Sequence, residues 1–300
     1  MSRVHWLALT HIPGVGGATL RRLLERFGSI EGIFAADSAE LARVPRLSER
    51  AIAALQGVSL EAVEAEMAAL AKAGIALLTW EDPDYPASLH DLSDPPPVLF
   101  LRGTIRPQDE RAVAIVGSRR AGEHGLGVAR RLGKALAARG LTVVSGLALG
   151  IDTAAHEGAL ETPGGRTLAV LGSGLGVIHP RENRALAERI VACGTLLSEL
   201  RPDTPPRGLY LMARDRIIAA LSRAVIVVEA EERSGSLDTA RRARRLGRPV
   251  LACPGSPGTE ALLRAGAERL DPEAIDLDAL ARRLQNPPEP PPSPRQQKLF

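Results

Sequence analysis

From residue 112 to about 284 the sequence alternates between two kinds of segment, and that alternation restricts the fold more than any other feature. Short apolar runs at 113–116, 141–144, 168–171, 195–197, 224–228 and 250–252 are separated by amphipathic stretches of helical length. A strand that is apolar throughout needs cover on both faces. A strand followed each time by a helix pairs in parallel with the next. The pattern predicts an α/β fold with a doubly wound, mostly parallel sheet.

Ligands of such sheets sit beyond the C-terminal ends of the strands. Five of the runs end there in Gly/Ser-rich turns that lead into helices: GSRR at 117–120, SGLALGIDTAAHEGAL at 145–160, GSGLGVIHPRENRAL at 172–186, EAEERSGSLDTARRA at 229–243 and CPGSPGTEALLRAGA at 253–267. Glycine permits close backbone approach, and helix N-termini present free N–H groups at the positive end of the dipole. One such turn is what any tight connection needs, but five on one edge describe an anion-binding rim. Arg214 and Arg216, at the start of the helix before the fifth run, oppose the local dipole unless an anion lies between them and the N–H groups. The arginines of ARRARRLGR at 240–248 fall mid-helix and at a helix end, where a solvated face accounts for them.

Several chemistries are disfavoured. Gly172 and Gly174 fit the first two positions of a dinucleotide fingerprint, but Val177 fills the third, and no Gly-Lys-Ser/Thr occurs for a nucleoside triphosphate. Ser145, Asp152 and His156 have the residue types of a hydrolytic triad, and Asp152 and His156 share a helix face. Asp152 also opens that helix, where a carboxylate suits the dipole, so local hydrogen bonding explains the group equally well. His179, before Pro180, is a turn residue. Neither a metal cluster nor a catalytic set is read, and no cofactor is expected.

Residues 1–75 are Ala/Leu-rich with helical periodicity and breaks at Gly14–Gly17, Gly28 and Gly57. Residues 76–111 form a proline-rich connector, with short strands expected at 75–79 and 98–102. The sheet zone is set at 112–285, and the proline-rich tail at 286–300 is expected to be extended. Cys193 and Cys253 lack metal-ligand spacing, and neither a leader nor a long apolar run is seen, so a reduced, cytoplasmic setting is expected. The formal charge is only +3, and three lysines, Lys72, Lys134 and Lys298, leave nearly all the basic charge to arginine. Base composition explains that bias, although arginine is also the better phosphate fork.

The chain resembles the DprA/Smf family, the DNA-processing protein A family. The resemblance rests on GSR at 117–119, SGLALGIDTAAHEGAL, TLAVLGSGLGVIHPRENRAL at 167–186, SEL at 198–200, RDRIIAALSRAVIVVEA at 214–230, SGSLDTARRA at 234–243 and GRPVLACPGSPGTEALLRAGA at 247–267, in the family order. DPDYPASLHDLSDPPPVLFLRG, at 82–103, resembles the family's preceding segment. The resemblance implies an extended Rossmann-like domain that binds single-stranded DNA without enzymatic activity. It also implies a homodimer that acts with RecA and single-strand-binding protein in natural transformation. It places DNA contacts at Gly117, Ser118 and Arg119; at Ser145, Gly146, Gly150 and Asp152; at Gly172 and Gly174; at Arg214 and Arg216; and at Ser234, Gly235 and Ser236.

This chain departs from the family pattern in four places. Asp215 stands where the family has Asn, Leu211-Met212 where Phe-Pro is usual, Glu260 for Asn, and Gly176 for Asp. The winged-helix-like domain often found at the family's C-terminus has no counterpart in length after Pro287. LTHIPGVGGATLRRLLERFG at 9–28 resembles a helix-hairpin-helix in which Gly14 and Gly16 could meet a second phosphate; the region also fits a sterile-alpha-motif-like packing or protein-contact domain. Two other readings remain open from the residues. A nucleotide phosphoribohydrolase-like enzyme would carry Pro-Gly-Gly-x-Gly-Thr-x-x-Glu, which Pro254–Glu260 does not reproduce. A duplex-DNA binder would work mainly through the helical zone.

Overall fold

The computed structural model describes residues 2–285, so the expected proline-rich tail at 286–300 lies outside the described residues. The chain opens with short helices α1 (Ser2–Leu9), α2 (Gly17–Phe27), α3 (Ile30–Ala35), α4 (Ser38–Ala42), α5 (Glu49–Gly57) and α6 (Leu60–Lys72). Ser29, Asp37, Ser48 and Ser59 start α3 to α6, and each side chain accepts the backbone N–H three residues on. These caps begin new helices where the apolar period breaks.

The connector supplies β1 (Ala76–Thr79) and β2 (Val98–Gly103). The alternating part follows: β3 (Ala112–Val116), α7 (Glu123–Ala137), β4 (Thr142–Ser145), α8 (Ile151–Leu160), β5 (Thr167–Val170), α9 (Arg184–Cys193) and β6 (Thr195–Ser198). Helices α10 (Gly208–Ala213) and α11 (Asp215–Leu221) lead to β7 (Val225–Val227), α12 (Gly235–Arg245), β8 (Val250–Ala252), α13 (Pro257–Arg264), β9 (Glu268–Arg269) and α14 (Leu277–Gln285).

All nine strands form one sheet in the order β1-β2-β6-β5-β4-β3-β7-β8-β9. From β6 to β9 the pairs are parallel, and the β1–β2 and β2–β6 pairs are antiparallel. The doubly wound, mostly parallel architecture is as the apolar runs imply. The order reverses at β3, which pairs with β4 on one side and β7 on the other, so the switch point lies beside Gly117.

Alternation along β3 divides the core. Val113 and Ile115 face α7, α8 and α14, while Ala112, Ala114 and Val116 face α11 and α12. The N-terminal helices share a third apolar cluster with the sheet: Trp6, Leu20 and Ile33 join Phe100 of β2, Ala169 of β5 and Ile190 of α9. Burying each of the larger side chains contributes roughly 1.5–3 kcal/mol. The helical region is therefore anchored to the sheet across the 75/76 boundary.

At the N-terminal ends of the strands a buried ion pair ties the antiparallel edge to the parallel part. Arg166 Nε and Nη2 donate to Asp109 Oδ1 and Oδ2 at 2.6 and 2.7 Å. Asp109 also accepts from Thr142 Oγ1 and the Arg106 N–H. Arg166 reaches the carbonyls of Thr104 and Cys193 as well. Both side chains are almost fully buried, and their polar atoms are bonded, which is the condition for tolerating charge in a core.

Candidate nucleic-acid interface

At the opposite, C-terminal ends of β3 and β4 lies a cleft of about 470 Å³. Of the rim residues expected from sequence, Arg119, Gly146 and Arg214 line it. The turn that follows Gly172 and Gly174 adds His179, Pro180, Arg181 and Glu182, and α10 adds Leu211. Arg119 and Arg181 are exposed, and among the described residues neither side chain has an ion pair or hydrogen bond. They are the cleft's available cations. Arg181 was not singled out from sequence; its signal was its position in the HPREN stretch of a rim turn.

The floor is held by internal charge. Arg214 is 6% exposed and donates through Nη1 to the carbonyls of Gly146 and Val170, and through Nε to Leu211 O and Asp215 Oδ1. A Cβ on Gly146 would stand 1.7 Å from Arg214 Nη1, so glycine here makes room for the guanidinium. Asp152, 5% exposed, accepts the N–H groups of Gly146 and Ala148 at 3.0 and 3.3 Å. Burial raises its carboxyl above the usual range, with Arg214 and these hydrogen bonds opposing. Between those N–H groups Leu147 has φ +59, a left-handed backbone that costs a β-carbon-bearing residue energy. Asn183 Nδ2 donates to Leu147 O at 2.9 Å and to Thr153 Oγ1 at 2.8 Å, pinning the strained loop from the other side. Sequence reasoning missed Asn183 too.

Several expectations change. Asp152 shapes a loop and, being buried and acidic, is unsuited to touching phosphate. Arg214 is not opposed by an unfilled helix terminus; Asp215 is its neighbouring anion. Arg216 is absent from the cleft lining and lies in a bidentate pair with Glu199, both contacts 2.6 Å, with Asp94 O as a further acceptor. Its charge is neutralised inside the fold. Ser145 is fully buried and its hydroxyl donates to Ile115 O, out of reach of an anion.

The other rim residues pack or cap. Gly117 lies against Ile151 and Glu229, and Gly150, with φ +80, against the Ser118–Arg119 backbone. Ser118 Oγ accepts the Arg120 N–H. Gly172 lies against Leu211 and Gly174 against the Arg201–Pro202 backbone. Ser234 caps α12 by accepting the Ser236 N–H, Ser236 is buried, and a Cβ on Gly235 would stand 4.0 Å from Asp215 Oδ2. That turn lies near Asp215 and is not in the lining.

The triad geometry is not formed. His156 is fully buried, and its Nδ1 lies 2.7 Å from Thr167 Oγ1. That hydroxyl spends its proton on Val143 O, so Nδ1 carries the hydrogen and Nε2 is a bare acceptor with no partner. Burial, helped by the Arg214 charge, pushes His156 down to about 3.

The hairpin near Gly14 and Gly16 is also closed. Asp94 Oδ1 accepts the Ala18 N–H at 2.9 Å, at the N-terminus of α2. A Cβ on Gly16 would stand 3.0 Å from the same oxygen, and one on Gly17 2.0 Å from Pro95 O. An internal carboxylate holds the place expected for a phosphate.

Among the described residues, no His/Cys/Asp/Glu group is arranged to hold a metal, and no helix is long and apolar enough to cross a membrane. Among the described residues, the large hydrophobics exposed are Leu149 (40%), Leu209 (80%) and Met212 (53%). Leu149 lines the cleft, and the other two are on the helix that brings Leu211 to it.

Residues 76–277 match the family model described as DNA recombination-mediator protein A, and residues 7–59 match a SAM-like helix-hairpin-helix tandem. The chain is 38% identical over 267 residues to Protein Smf of Synechocystis, a match covering 86% of this chain and 66% of that protein. The chain spans about two thirds or less of the first curated relatives it matches. Among solved structures, DNA processing protein A (DprA) from Streptococcus pneumoniae superposes with a TM-score of 0.76 at 32% identity, covering 91% of this chain and 95% of that one. DNA processing protein A from Helicobacter pylori, whose structure is described for its single-stranded DNA binding mode, gives a TM-score of 0.63 at 31% identity over 70% and 95% of the two chains.

Proposed function

Since this chain belongs to the DNA recombination-mediator protein A family, we propose that its cleft binds single-stranded DNA and that the protein serves as a recombination mediator in natural transformation, protecting incoming strands and passing them to RecA. One observation carries the choice of ligand. Two exposed guanidiniums, Arg119 and Arg181, with no bond among the described residues, line the cleft together with the apolar side chains of Leu149 and Leu211. A single strand offers phosphates and unstacked base faces together, whereas a duplex hides its base faces in the stack.

The apolar groups here are aliphatic, so base contact is weaker than on an aromatic platform and phosphate contact dominates affinity. Backbone contacts carry little sequence preference. A cleft of this size holds a short stretch of strand, so two copies on one strand would gain through effective concentration; a homodimer is the working assembly in this reading. RecA and single-strand-binding protein are the proposed protein partners. The reading is of a binding protein that needs no cofactor and works in the cytoplasm.

Alanine at Arg119 or Arg181 should weaken binding about three- to tenfold at low salt and reduce the salt slope by about 0.7–1 per residue, whatever the oligonucleotide sequence. Anisotropy titrations of labelled oligothymidine across a salt series measure both quantities. Unchanged slopes in both variants would remove the cleft from the account.

A further inference from the structure

We propose that Asp215 sets the affinity of this cleft for polyanions by neutralising Arg214, so that removing its charge tightens binding. The inference rests on the cleft being the DNA site. Arg214 lines the cleft, yet nearly all its bonds go to neutral carbonyls, those of Gly146, Val170 and Leu211. Asp215, whose Oδ1 lies 3.0 Å from Arg214 Nε, is the only carboxylate in contact with that guanidinium among the described residues. Both side chains are under 10% exposed, so solvent screens the pair weakly and each charge is felt at the cleft surface. Loss of the Asp215 charge makes the floor one unit more positive in the cleft that Arg119 and Arg181 also line, whatever the charge on Asp152.

The surroundings make this charge easy to remove. Asp152 on α8 and Asp238 on α12 face Asp215, and Arg242, the nearby cation on α12, is paired with Asp238. Burial and these two carboxylates, against the attraction of Arg214 and Arg242, push Asp215 up to about 6. The pair therefore changes its net charge in the weakly acidic range, where an exposed aspartate would stay ionised.

The test uses the whole chain and labelled oligothymidine at about pH 7.5 and about pH 5.5, for the wild type and Asp215→Asn. The variant should bind about tenfold tighter at the higher pH, with a steeper salt dependence, and the wild type should approach it at the lower pH. His179 and Glu182 also line the cleft and are common to both proteins, so the difference between the two curves is what reports Asp215. Equal affinities with parallel pH profiles would overturn the proposal while leaving single-strand binding intact. Binding by the variant alone would support it. Absence of binding by either protein at low salt would overturn both the proposal and the reading beneath it. Should Asp215→Asn fail to fold, His179→Gln keeps Asp215 and must still gain affinity on acidification; a flat profile would overturn the proposal.

Discussion

Arg166→Ala should lower the unfolding free energy by about 3–5 kcal/mol, the typical result of leaving a buried carboxylate without its partner. Asp109 would retain only Thr142 Oγ1 and the Arg106 N–H, and the carbonyls of Thr104 and Cys193 would each lose a charged donor. The segment before β3 and the starts of β5 and β6 would come apart together, because this pair is their common contact. The double replacement Arg166→Met with Asp109→Leu should recover much of the loss, since apolar groups of similar volume carry no desolvation cost. Urea unfolding of the three proteins measures this. The pair lies at the end of the sheet away from the cleft, so the folded fraction of each variant should keep its DNA affinity. Equal stability of wild type and Arg166→Ala would mean that the pair contributes nothing net.

Acid should destabilise the protein through His156. Its ordinary value of 6.5 falls to about 3 in the fold, because burial disfavours the charged ring and the Arg214 charge adds to that; Nε2 also has no partner to receive a second N–H. The unfolded chain therefore binds more protons between these values, and stability is lost as pH falls below about 6.5, at 1.36 kcal/mol per pH unit. The His156 contribution approaches about 2–3 kcal/mol at pH 4.5 and is complete only near pH 3. Asp215 works in the other direction: its raised value means the folded state takes up a proton as pH falls through about 6, which favours folding. His156→Leu isolates the histidine, since its stability curve should be flatter than that of the wild type below pH 6. Parallel curves would show that the buried imidazole does not control acid unfolding.

The parallel part of the sheet was legible because each of its longer strands is an uninterrupted apolar run. The C-terminal strand β9, Glu268–Arg269, carries no such signal: it is exposed, and its place is fixed by pairing with β8. The antiparallel edge was only half visible. The connector strands were expected, but nothing local shows that β2 pairs with β6, nearly a hundred residues away.

The site divides in the same way. Gly-Ser-Arg at the end of β3 marked Arg119 because position on a strand end is a local property. The fate of Arg214 and Arg216 was not local. Both read as anion clamps until Asp215 and Glu199 are seen beside them. Gly14 and Gly16 carried the pattern of a phosphate hairpin, and the carboxylate that closes it, Asp94, is far along the chain. Most rim glycines make room for other parts of the protein, which a one-dimensional reading cannot distinguish from room for a ligand.

The cleft is expected to prefer single strands over duplex. Fluorescence anisotropy of the same labelled sequence, single-stranded and as a duplex, across a salt series, tests it most directly. Binding to the single strand should be tighter at every salt concentration, with log affinity falling linearly in log salt. Equal binding to duplex and single strand, or no binding to either at low salt, would contradict it.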